Sequence, residues 1–142
     1  MSAGRGILHS EFNPSDKNPV HLFQIWIEPA ATGVAPSYEQ IAFDASEKQG
    51  KLRMLAGPKG GAGVATIGQD AQVFAAELGN GEQVVHSLKA GRGAWLHVIK
   101  GGVEVNGNAL SAGDAVAVSD EPRLEVKATA GDPSEILLFD LA

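Results

Sequence analysis

With 142 residues, the chain has the length of one ordinary domain, or of one domain plus a piece of another. A net charge of −6 with scattered basic residues argues against nucleic acid as a partner, and the absence of cysteine excludes disulfides, thiolate metal sites and a cysteine nucleophile. No basic-then-apolar leader is present and no apolar run approaches the ~20 residues of a membrane span, so a soluble, cytoplasmic protein is expected.

Residues 1–11 (MSAGRGILHSE) hold a glycine-rich turn, a short apolar rise, then His9 and Glu11. On an extended strand, residues two apart share one face and lie less than about 7 Å apart along the chain. His9 and Glu11 are therefore candidate ligands of one metal ion, and imidazole with carboxylate suits iron, zinc, nickel or manganese. A polar strand end facing solvent is the plainer reading, because two ligands do not make a site.

Val20 to Ile27 (VHLFQIWI) reads as a strand with Phe23, Ile25 and Ile27 on one face and Leu22, Gln24 and Trp26 on the other. Both faces are apolar, which predicts cover on both sides. His21 reads as an ordinary strand-end histidine. Glu28 to Pro36 carries two prolines and a glycine and reads as an ordered crossing or linker. Tyr38–Phe43 is a short extended piece, Asp44–Gly50 a polar turn or single helical turn, and Lys51–Leu55 a strand.

The run Gly57-Pro58-Lys59-Gly60-Gly61-Ala62-Gly63 is no phosphate loop. Such a loop needs a hydroxyl residue directly after the lysine and then a helix, whereas here glycines lead into the strand-like Val64-Ala65-Thr66-Ile67. A hairpin loop is expected instead. Strands follow at Ala71–Leu78, Gln83–Leu88, Ala94–Lys100, Val103–Val105, Ala115–Val118, Leu124–Ala128 and Ile136–Leu141, separated by turns such as Gly79-Asn80-Gly81 and Asn106-Gly107-Asn108. Short strands at this spacing, with no amphipathic helix, predict an all-β sandwich or barrel. His86 and His97 would face each other if their strands formed a hairpin around Gly91-Arg92; two unrelated strand histidines are the competing reading.

The segment Gly101-x-Val103-x-Val105-x-Gly107-x-x-Leu110-x-x-Gly113-Asp114 resembles the core pattern of cupins, double-sheet β-barrels of the jelly-roll type. Met1–Glu11, Asn13-Pro14-Ser15, Gln24–Ile27, Pro36-x-Tyr38-Glu39-Gln40 and the closing Leu137–Leu141 resemble the pirin-like bicupins of the quercetin 2,3-dioxygenase type. The resemblance implies a C-terminal portion of such a protein. Residues 1–27 would be the terminal strands of an incomplete N-terminal barrel, 28–37 a crossing, and 38–142 a C-terminal cupin barrel. The stretch from Val118 to Leu141 echoes Met1 to Ile27, and the positions answering His9 and Glu11 are approximately Val126 and Ala128. Neither binds metal, so a metal-free second barrel is expected.

In pirins the first barrel holds one metal, usually Fe(II), through three histidines and a glutamate. The resemblance carries His9 and Glu11 onto one half of that set, with Glu11 also a candidate catalytic base. The other half, an H-x-H, is absent: His21, His86 and His97 have no second histidine two residues away, and Gly91 and His97 begin a G-x5-H pattern that ends on Ile99. The expectation is a chain inactive alone, from a family that opens flavonols with dioxygen. A non-catalytic regulatory or structural module is the alternative, and a homodimer through the N-terminal strands the expected assembly.

Overall fold

The computed structural model describes residues 1–129 and 131–142. Ten strands are formed among them: β1 (Arg53–Gly57), β2 (Ala65–Thr66), β3 (Ala71–Leu78), β4 (Gln83–Ser87), β5 (Gly93–Lys100), β6 (Gly102–Val105), β7 (Asn108–Ser111), β8 (Ala115–Val118), β9 (Arg123–Ala128) and β10 (Ser134–Leu141). They make a six-stranded sheet in the order β2-β1-β3-β10-β5-β8 and a four-stranded sheet in the order β4-β9-β6-β7. The all-β double-sheet architecture expected from the turn spacing is the one observed.

The side-chain period of two builds the core. Alternate residues on each strand turn inward: Phe74, Ala76 and Leu78 on β3, Ala94, Leu96 and Val98 on β5, Leu124, Val126 and Ala128 on β9, Ile136 and Leu138 on β10. These two inner faces pack together into one cluster of buried residues. Val126 and Ala128, the positions answering His9 and Glu11 in the internal echo, both lie in this interior.

One sequence expectation gives way here, and one conditional pairing is not formed. β1 and β2 pair in parallel, with Ala56 opposite Ala65 and Gly57 opposite Thr66, so the glycine-rich run between them is not a hairpin loop. Gly61 and Gly63 have φ of 101° and 77°, and the Gly61–Val64 bridge folds the loop back so that the chain re-enters in its original direction. Nor do β4 and β5 form a hairpin. β4 pairs with β9 and β5 with β10 and β8, so the chain changes sheet at Lys89–Arg92 and His86 and His97 are not opposed.

Residues 1–43 form no strand; only an isolated bridge joins Ser2 to Ser37. The segment is an extended strap over the outer face of the six-stranded sheet. The Phe23 ring meets His97 of β5 edge-on at 5.5 Å, Gln69 Nε2 donates to the Glu28 carbonyl at 2.9 Å, and Thr66 N–H donates to the Glu39 carboxylate at 2.7 Å. Outward-facing Val73, Ala75 and Leu137 are buried although they lie outside the core cluster. At the strap's start, Arg5 N–H donates to the Val34 carbonyl, and Gly4 sits so close that a Cβ there would be 2.3 Å from that oxygen.

The strand expected at Val20–Ile27, covered on both faces, therefore differs from the structure. The strap crosses a sheet face instead of extending a sheet edge, so its backbone finds no ladder partner. Phe23 and Ile25 turn to the barrel, whereas Trp26 remains 89% exposed. The polar turn at Asp44–Gly50 is a 3-10 helix, Ala45–Lys48, closed by a reciprocal cap between Asp44 and Glu47. Lys48 pairs with Glu135 and lies 3.7 Å from Glu77, tying this helix to the sheet.

Candidate functional site

His9 and Glu11 lie on the exposed, extended part of the strap, between the Gly4–Gly6 turn and a tight loop at Asn13–Asn18. That loop is fixed locally: Asn13 Nδ2 donates to the Asn18 carbonyl at 2.7 Å, and Ser15 Oγ accepts from the Asn18 amide at 2.9 Å. Both candidate ligands are open to solvent, and no other element of the described residues closes over them. Among the described residues, no three His, Cys, Asp or Glu side chains come together where they could hold a metal ion. One imidazole and one carboxylate leave most of a coordination sphere unfilled, so the residues present do not by themselves fit a mononuclear iron centre.

His21 and His97 serve packing. The Phe23 ring lies 4.9 Å from His21 of the strap and 5.5 Å from His97 between centroids. The contact with His97 ties the strap to β5. The G-x5-H pattern ending on His97 therefore has a structural outcome.

A cluster that sequence reasoning missed sits where the two sheets meet. Asp140, inward on β10, is buried; His86 Nε2 of β4 lies 2.8 Å from its Oδ2, and Arg92 Nε donates to its Oδ1. Arg92 also pairs with Asp70 at 3.0 Å and donates to the backbone carbonyls of Asp70 and Asp140. The hydrogen bond that Arg92 donates to Asp140 holds the guanidinium above its ordinary pKa, opposed by burial and aided by Asp70. The Phe74 ring backs the imidazole at 4.9 Å.

Chemically this cluster is a closed clasp. Both Asp140 oxygens are engaged, and Arg92 faces two carboxylates, which leaves neither group free for substrate or metal. Its one sequence signal was a carboxylate at an inward position among apolar residues, in Leu138-Phe139-Asp140-Leu141.

Comparison with known proteins fits both parts of the chain. A family model for the quercetinase C-terminal cupin domain matches residues 54–141, and the pirin model matches residues 1–27. The chain is 44% identical over 141 residues to a quercetin 2,3-dioxygenase of Escherichia coli K12, covering 99% of this chain and 59% of that protein. It is 40% identical over 143 residues to a putative quercetin 2,3-dioxygenase of Pseudomonas aeruginosa, covering 100% and 60%. The crystal structure of YhhW from E. coli superposes with a TM-score of 0.76 at 36% identity, over 82% of this chain and 48% of that one. The same bacterial pirin in complex with nickel(II) gives 0.72 at 35% identity, over 80% and 47%. The chain thus spans about three-fifths of the length of the curated relatives it matches. It belongs to the pirin family of cupins, and its barrel is a quercetinase-type C-terminal cupin domain.

Proposed function

We propose that this chain supplies half of a pirin metal centre, His9 and Glu11 on the N-terminal strap, together with a second cupin barrel that adds no ligand to it. The activity of the relatives, ring opening of a flavonol by dioxygen, would need the ligands missing from this set, and the chain alone would be catalytically silent. Fe(II) is the proposed ion, and the nickel(II) complex of a similar pirin supports a site that takes late divalent metals. The observation that carries the reading is the pairing of a pirin-matched stretch holding His9 and Glu11 with the lack of any three-residue metal group among the described residues. Residues 1–27 are read as belonging with a first barrel, 28–37 as the crossing, and 38–142 as the second barrel.

Assembly follows from the strap. Leu8, Phe12, Leu22 and Trp26 are exposed apolar residues on one extended segment, and pairing of two such segments in a homodimer would cover them. A purely structural or regulatory module is the second reading. It is favoured by the barrel interior, where the inward residues Leu96, Val98, Leu124, Ile136 and Leu138 are all apolar and fully buried.

Oxygen uptake tests the reading. The full chain, supplied with ferrous iron and quercetin, is expected to consume no oxygen beyond the protein-free rate. Quercetin-dependent uptake that disappears in His9→Ala and in Glu11→Gln would show a complete centre and overturn it.

A further inference from the structure

The chain contains two Asn-Gly pairs, Asn80-Gly81 and Asn106-Gly107, both in exposed turns. Asn-Gly is the dipeptide most prone to spontaneous deamidation, because glycine offers its backbone nitrogen without steric hindrance. The two turns hold their asparagines very differently. Asn106 is in the left-handed region at φ 45°, and its side chain spans to the neighbouring strand: Oδ1 accepts from the Glu125 amide at 2.8 Å and Nδ2 donates to the Arg123 carbonyl at 3.1 Å. Its own backbone amide donates to the Glu125 carbonyl at 3.0 Å. Asn106 is thus fixed to β9 at three points.

Asn80 is exposed at the first central position of a β-turn in which the Glu82 amide donates to the Gly79 carbonyl at 3.0 Å. Gly81 follows at φ 75°, as a type II turn requires. The turn is braced by Glu82, whose carboxylate accepts from the Gly79 amide at 2.8 Å; among the described residues no such bond holds the Asn80 side chain.

We propose that Asn80 is a site of spontaneous deamidation in the folded protein and that Asn106, with the same sequence signal, is protected by its bonds to β9. In the reaction the Gly81 nitrogen attacks Asn80 Cγ. The new N–Cγ bond forms, the Cγ–Nδ2 bond breaks, and the proton leaving the Gly81 amide departs with the amide group as ammonia. Water then opens the resulting succinimide at either carbonyl, giving aspartate or isoaspartate. No oxidant or enzyme is needed. The product places a new carboxylate two residues from Glu82, in the turn that carries the chain from the six-stranded to the four-stranded sheet. The isoaspartate form also lengthens the backbone of that turn.

For Asn106, reaction first requires releasing the side chain from two hydrogen bonds, which slows it on the order of tenfold or more. The test is incubation of the full folded chain in mildly alkaline buffer, followed by tryptic digestion and mass spectrometry. Cleavage separates residues 60–89 from residues 101–123, so the two asparagines report independently. The folded chain is expected to accumulate aspartate and isoaspartate at Asn80 at least about tenfold faster than at Asn106. In denaturant the two rates should converge, and Asn80→Gln should abolish the modification in the first peptide. Equal rates in the folded chain, or conversion at Asn80 only after unfolding, would overturn the proposal.

Discussion

Asp140 shows how one residue joins the two halves of the barrel. A buried carboxylate is costly unless fully paired, and here His86 and Arg92 pair it from β4 and from the corner where the chain changes sheet. Removing the Asp140 charge leaves the partly buried Arg92 with only the exposed Asp70 as a carboxylate partner, at a cost of about 3 kcal/mol. Asp140→Asn should therefore lower the urea midpoint of unfolding by an amount corresponding to about 3 kcal/mol, and a shift under about 0.5 kcal/mol would remove the clasp from the account. Leu138→Ala, beside it on the same strand at 0% exposure, should cost about 3 to 4 kcal/mol through the cavity it leaves. The sequence placed Leu138 and Asp140 on the closing strand but did not reveal the clasp. Asp70, Arg92 and Asp140 are brought together by sheet pairing over long sequence separations, and no local pattern encodes that.

At the scale of elements, local pattern was most informative where a strand pairs with strands of the same barrel. The bounds read for Ala71–Leu78 and Ala115–Val118 are those of β3 and β8, and Leu124-Glu125-Val126-Lys127-Ala128 alternates buried and exposed as its composition indicates. The pattern failed where the partner decided the outcome. Val20–Ile27 has strand composition, yet a strand exists only as part of a ladder, and over the face of the six-stranded sheet none is available. What holds the strap down is partly ionic. The Thr66 backbone amide, donating to Glu39, lowers that carboxylate's pKa below its ordinary value. A depressed folded-state pKa gives a contact fully present above the unfolded pKa and lost as pH falls through the folded one. The Thr66 amide resonance should accordingly titrate with a midpoint below 4.5, the ordinary glutamate value. Glu39→Gln should abolish that titration while leaving β3 and β10 resonances in place. A midpoint at or above the ordinary value would show that the contact does not form in solution.

For the whole molecule, the decisive contrast lies between a closely packed barrel and an open strap. The barrel buries a continuous apolar core between two sheets, whereas the strap places Leu22 and Trp26 on an open face and His9 and Glu11 in solvent. Self-association through that face predicts that Trp26→Ser shifts the chain toward monomer in sedimentation velocity; a wild-type chain monomeric at every concentration would contradict the homodimer. The family was legible because its signature residues cluster at the strap and the C-terminal strand. The proposed metal centre was legible only by half, because the stretch matched by the pirin model holds two candidate ligands and no group of three His, Cys, Asp or Glu comes together among the described residues. Calorimetric titration of the intact chain with nickel(II) tests this most directly, since it needs neither substrate nor turnover. The account predicts weak binding without a one-to-one endpoint, reduced further by His9→Ala. A sharp endpoint at one ion per chain, lost in both His9→Ala and Glu11→Gln, would contradict it.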